Sequence, residues 1–213
     1  MSKLKRPCEE YLKNKNRLLM KGKFIVLYGV NNLGKTTQAK KIVEKMNAGG
    51  QKAEYLKYPI YSIAPSGKII DDYLRKRNGF NLSAREVQII FALNRFQFES
   101  TLKKKLDEGI NIIAEDYTGT GIAWGMAMGV GEKFLEEINS CLIKEDLSFF
   151  FYGQRFKSGV ESGHRHEENE SFMLKAEKTH LALADKYGWI KINANQNIEE
   201  IHNEVWRRME INS

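Results

Sequence analysis

Only three prolines and two cysteines occur in 213 residues, while 42% of the chain is hydrophobic and 29% is charged. That balance excludes the weakly hydrophobic disordered class, a collagen-like repeat and a small secreted scaffold stapled by disulfides. Cys8 and Cys141 stand far apart and match no metal-ligand spacing, so both are expected to be reduced thiols without a chemical role. No run approaches the roughly 20 apolar residues that span a bilayer, and no membrane partner is expected. The segment from Met1 to Arg17 is rich in Lys and Arg but leads into neither an apolar run nor a small-residue cleavage pattern. It does not read as a secretory leader, and the expected location is the cytoplasm. The formal net charge is +7, yet the basic residues are scattered among acids and form no block. Nucleic acid is therefore not expected as the ligand, and phosphorylated small molecules account for a basic surface equally well.

Short apolar runs recur at helix-length intervals: Phe24 to Tyr28, Ala53 to Tyr58, Ile110 to Ala114, Leu147 to Tyr152 and Trp189 to Ile192. They read as buried parallel strands. Between them lie segments of helical period, such as Val87, Ile90, Phe91, Asn94, Phe98 and Leu102, three and four residues apart. The alternation predicts an α/β protein of three layers, a five-stranded parallel sheet flanked by helices, with ligands at the carboxyl ends of the strands. Two segments fall outside the rhythm. Residues 1–22 read as a basic helical extension, opened by Pro7 and closed by Gly22. Residues 154–170 are polar, glycine-containing and charged, and read as a short lid within a single domain spanning 23–213.

The strongest local signal is Gly29-Val30-Asn31-Asn32-Leu33-Gly34-Lys35-Thr36, directly after a predicted strand and before a predicted helix beginning Lys35-Thr36-Thr37-Gln38-Ala39. It fits the P-loop pattern, in which glycines let successive backbone N–H groups face a polyphosphate at a helix N-terminus. Gly29, Asn31, Asn32, Leu33, Gly34, Lys35, Thr36 and Thr37 are the expected ATP-binding residues. Lys35 reaches the phosphates and the Thr36 hydroxyl can ligate Mg²⁺. A carboxylate at the end of a neighbouring strand can hold the same ion through water, and Glu115 is the candidate by position.

The order of motifs from Phe24 onward resembles the thymidylate kinase family. After the cradle come Tyr58-Pro59, then Gly67-Lys68-Ile69-Ile70 with Tyr73-Leu74, then Phe91-Ala92-Leu93-Asn94-Arg95, then Glu115-Asp116-Tyr117 and Thr120-Gly121-Ile122-Ala123-Trp124. The resemblance implies a P-loop NTPase fold, a homodimer, and ATP- and Mg²⁺-dependent phosphorylation of dTMP to dTDP. It also implies that the Phe91 ring stacks on thymine, Arg95 addresses the base, the Thr120 hydroxyl faces the base and the Trp124 ring crowds the sugar 2′ position. Asn31, Tyr58, Pro59, Tyr61 and Asp116 complete the implied acceptor site.

Three positions depart from the family pattern. Asn31 stands where an acid is usual, Tyr61 where an arginine grips the acceptor phosphate, and Asp116 where a second arginine does so. Two planar, bidentate forks are lost and a negative charge is gained. Lys57, Lys68 and Arg155 are the candidate replacements, and a different acceptor or a nucleotide-binding homologue without turnover are the alternatives. The resemblance implies a transition-state arginine either in the cradle or in the lid; this cradle has no basic residue before Lys35, so the resemblance assigns the role to Arg165, in the predicted lid, where it would stabilise the transferring phosphoryl group.

Overall fold

The computed structural model describes residues 21–75, 78–155 and 170–212. The expected helical extension, apart from its last two residues, and nearly all of the expected lid, including Arg165, lie outside the described residues. Five strands form one sheet: β1 (Phe24–Tyr28), β2 (Ala53–Lys57), β3 (Asn111–Glu115), β4 (Leu147–Tyr152) and β5 (Ile190–Asn193). Their order is β2-β3-β1-β4-β5, and every neighbouring pair is parallel. Expected and observed strands agree to within one or two residues at each end.

β1 is central and completely buried, because an apolar run with no polar alternation can be satisfied only by packing on both faces. Phe24, Val26 and Tyr28 point to one side, where they meet Leu102, Leu106, Ile122, Ala123 and Leu135. Ile25 and Leu27 point to the other, where they meet Ala39, Ile42, Met173, Ile201 and Val205. The helices that supply these residues are α1 (Lys35–Ala48), α3 (Ala84–Asp107), α4 (Thr118–Ala127), α5 (Glu132–Asn139), α6 (Glu170–Tyr187) and α7 (Ile198–Ile211), while α2 (Ser66–Leu74) packs Ile70, Tyr73 and Leu74 against Val87 of α3 in a smaller cluster. The result is the expected three-layer sandwich.

Helix starts differ in a way that bears on the site. α3 and α7 each open with a capping box, Ser83 with Glu86 and Asn197 with Glu200. These side chains satisfy N–H groups that have no partner within the helix. α1 opens instead on Gly34, in the left-handed region at φ 79°, with no side-chain cap. Its first N–H groups remain available to an anion.

Cys141 is disulfide-bonded, so the expectation of a reduced thiol does not hold there. Cys8 lies outside the described residues.

Candidate active site

The loop between β1 and α1 turns on three positive φ angles, at Gly29 (135°), Asn32 (65°) and Gly34 (79°). At Gly29 a Cβ would collide with the Phe151 carbonyl, so glycine is required both for the turn and for the approach of β4. Residues Asn31 through Thr37 line a cavity of about 490 Å³, while Gly29 does not reach it. The Gly29 carbonyl instead accepts a hydrogen bond from Lys35 Nζ at 2.8 Å, and the Val30 carbonyl accepts another at 2.8 Å. Lys35 is only 3% exposed. A buried ammonium needs acceptors, and the carbonyls of its own loop supply two. The Arg155 Nε donates to the Asn31 carbonyl at 3.3 Å, which ties the end of β4 to the same loop.

Beside the cradle, β3 delivers two consecutive carboxylates. Glu115 is its last residue, and the parallel register sets it opposite Leu27 of β1 and Lys57 of β2. Its Oε2 accepts from the Thr36 hydroxyl at 2.6 Å and from the Tyr55 hydroxyl at 2.8 Å, and its Oε1 lies 3.2 Å from Lys57 Nζ. Burial alone would raise the Glu115 pKa, but Lys35, Lys57 and the two hydroxyls overcome it and hold the carboxylate below its ordinary value. Asp116 follows at φ 63°, a conformation that suits few non-glycine residues. Its Oδ1 accepts from the Thr120 hydroxyl at 2.9 Å and lies 3.9 Å from Lys35 Nζ. Burial, reinforced by the neighbouring Glu115 charge, raises its pKa against the pull of Lys35.

The far end of the cavity is built from α3, α4 and the loop after β2. Tyr58, Pro59, Tyr61, Phe91, Arg95, Asp116, Thr120 and Trp124 all line the cavity, so the expected acceptor-binding residues are brought together around one space. Arg95 is buried and donates to Asn139 Oδ1 at 3.0 Å, and Asn139 is held by the Leu135 carbonyl at 2.8 Å. Burial lowers the Arg95 pKa from its ordinary value. Gly121 makes this placement possible, since a Cβ there would overlap the guanidinium. The Trp124 ring meets two rings of α6, Phe172 at 5.7 Å and His180 edge-on at 5.9 Å. The Thr179 hydroxyl fastens the same helices together by donating to the Ala123 carbonyl at 2.9 Å.

Four cavity or support residues were not singled out from sequence. Gln88 lines the cavity and sits on the α3 face that carries Phe91 and Arg95, at three- and seven-residue spacings that could have revealed it. Asn94 clamps the loop after β2, with Oδ1 accepting from Ile60 N at 2.8 Å and Nδ2 donating to Ile60 O at 2.9 Å. Arg75 is at the cavity rim, ion-paired to Asp71 at 2.9 Å. Asn139 has no sequence signal, being one polar residue on a short amphipathic helix. Of the alternative bases, Lys57 lines the cavity, whereas Lys68 and Arg155 do not.

A family model described as thymidylate kinase matches residues 27–205. The chain is 30% identical over 190 residues to human thymidylate kinase, covering 87% of this chain and 88% of that protein. It is 29% identical over 192 residues to the thymidylate kinase of Dictyostelium discoideum, covering 88% and 85% respectively. In overall fold it matches the solved structure of thymidylate kinase from Candida albicans with a TM-score of 0.73 at 24% identity, over 90% of this chain and 92% of that one.

Proposed function

This chain belongs to the thymidylate kinase family, and on that basis we propose that it transfers the γ-phosphoryl group of ATP to the 5′-phosphate of dTMP, yielding ADP and dTDP. The observation that carries the reading is a single cavity bounded at one end by the uncapped α1 N-terminus and at the other by Phe91, Arg95 and Trp124. A triphosphate on the loop and a nucleotide between those rings would face each other across Glu115 and Asp116, the arrangement an in-line transfer requires.

In this reaction an oxygen of the acceptor phosphate attacks the γ-phosphorus while the bond to the β,γ-bridging oxygen breaks. The protein's part is positioning and charge. Lys35 turns from the Gly29 and Val30 carbonyls toward the transferring group. Phe91 stacks on thymine, Arg95 and Thr120 address its polar edge, Asn31 meets the sugar hydroxyl, and Tyr58 and Pro59 shape the floor. Arg165 supplies transition-state charge from the lid. Thr36 and Glu115, two oxygen ligands within 2.6 Å of each other, fit Mg²⁺, which binds through few protein oxygens plus phosphates. When bound, that ion supplies charge neutralisation of the phosphates.

The expected homodimer finds support in α3, where Ile89, Leu93 and Phe96 form an exposed apolar stripe one and two turns apart. Light scattering of the protein and of Phe96→Glu tests it, since a dimer through this face dissociates in the variant. No described helix is long and apolar enough to cross a membrane. A kinase drawing on ATP and free dTMP fits a cytoplasmic setting.

A screen of nucleosides and nucleoside monophosphates with ATP and Mg²⁺, read as ADP release, tests the proposed reaction. dTMP is expected to give the highest kcat/KM, and a different best acceptor, or no ADP release with any, overturns the assignment.

A further inference from the structure

The acceptor's phosphate has to lie at the cradle end of the cavity, where the protein already holds Glu115 and Asp116. A dianion entering beside two carboxylates is repelled unless a cation faces it. Tyr61, which lines the same cavity and lies close enough to Lys57 to act on its charge, brings a neutral hydroxyl. Among the described residues, the cationic side chains lining the cavity are Lys35, Lys57, Arg75 and Arg95. Lys35 is withdrawn among loop carbonyls and belongs to the donor's phosphates. Arg95 is buried at the base end against Asn139, and Arg75 is held at the rim by Asp71.

Lys57 is different in each respect. As the last residue of β2 it is the register partner of Glu115, so the sheet itself fixes where its side chain emerges. The next residue is pinned as well, with Tyr58 N donating to the Glu115 carbonyl at 3.0 Å. The Lys57 side chain is 51% exposed, and its ammonium is 3.2 Å from Glu115 Oε1. The ammonium carries three N–H donors, more than one carboxylate oxygen engages, on a side chain that lines the cavity. We propose that Lys57 is the acceptor-phosphate cation of this enzyme: held by Glu115 at the end of β2, it meets the monophosphate where Tyr61 and Asp116 provide no positive charge. A point-charge ammonium on a flexible stem replaces a rigid fork, which binds a phosphate without demanding one orientation. The assignment rests on the dTMP kinase reading and names the residue that makes a phosphorylated acceptor acceptable.

The test is calorimetric binding of dTMP and of thymidine, with steady-state kinetics, for the parent, Lys57→Gln, Lys57→Arg and Lys68→Gln. Lys57→Gln is expected to weaken dTMP by on the order of tenfold or more, as loss of a charged hydrogen bond does, and to leave thymidine within about twofold. Lys57→Arg restores most of the dTMP affinity, and Lys68→Gln changes neither ligand. An equal loss of dTMP and thymidine, or unchanged dTMP binding in Lys57→Gln, overturns the proposal. So does a loss that appears in Lys68→Gln instead. If Lys57→Gln fails to fold, Lys57→Met, which keeps the aliphatic stem, gives the same reading. A parent that binds dTMP without phosphorylating it overturns the reaction assigned above and still reads Lys57 through the two affinities.

Discussion

Lys35 Nζ stands 3.9 Å from Asp116 Oδ1, and both groups are largely withdrawn from solvent. The pair joins the start of α1 to the turn after β3, so the cation expected on the transferring phosphate also faces a part-buried carboxylate. Lys35→Ala removes both functions. It is expected to lower kcat roughly 10²- to 10³-fold, the usual consequence of deleting a charged group aimed at a transition state. Circular dichroism should remain that of the folded parent. Turnover within a few-fold of the parent would sink the role given to Lys35.

Gly121→Ala addresses the base end. The added Cβ would overlap the Arg95 guanidinium, and the arginine has little room to move because it is bonded to Asn139 inside the core. KM for dTMP should rise at least about tenfold, equivalent to about 1.4 kcal/mol, while KM for ATP stays unchanged. An unaltered dTMP KM would mean that Arg95 does not address the base.

Trp124 is wedged between the cavity and the rings of Phe172 and His180. If its ring crowds the sugar 2′ position, dTMP is used in preference to its ribo counterpart, and Trp124→Ala narrows the ratio of kcat/KM values by about tenfold or more. Equal use of both acceptors by the parent refutes this.

His180 gives an acid dependence of stability. It is fully buried, its Nδ1–H donates to the Ala176 carbonyl at 2.7 Å, and its Nε2 has no partner. Burial, assisted by the Lys35 charge and only partly opposed by the Ala176 bond, pulls its pKa from 6.5 down to about 4. Between those values the unfolded chain binds a proton that the folded protein refuses. The stabilisation is complete above pH 6.5 and is lost as pH falls toward 4, a change of up to roughly 3 kcal/mol. Urea unfolding of the parent and of His180→Phe should show a shallower acid limb in the variant. Identical limbs would locate the sensitivity elsewhere.

What the sequence made legible was local. The cradle reads directly because its spacing is contiguous and sits between a strand and a helix, and the apolar runs read as strands because burial on both faces leaves no alternation to misinterpret. What stayed hidden depends on pairing between distant segments. Lys57 and Glu115 become neighbours only through the β2–β3 register, and Asn139 becomes a partner of Arg95 only when α5 packs beside α3. Lys35 was legible as a phosphate ligand but not as a buried group, because its resting acceptors are main-chain carbonyls that carry no sequence mark.

The placement of β1 and β3 at the middle of the sheet has an evolutionary consequence. Glu115 and Lys57 are the last residues of paired strands, whereas Phe91, Arg95 and Trp124 ride on helices outside the ladder. Substitutions along α3 and α4 can retune which base and sugar are accepted without disturbing the ladder, and are therefore open to drift and selection. Changes to the strands strike phosphoryl transfer and fold stability together. Heat inactivation of the chemical step should accordingly coincide with global unfolding, while nucleotide preference is the property free to diverge among descendants of this scaffold.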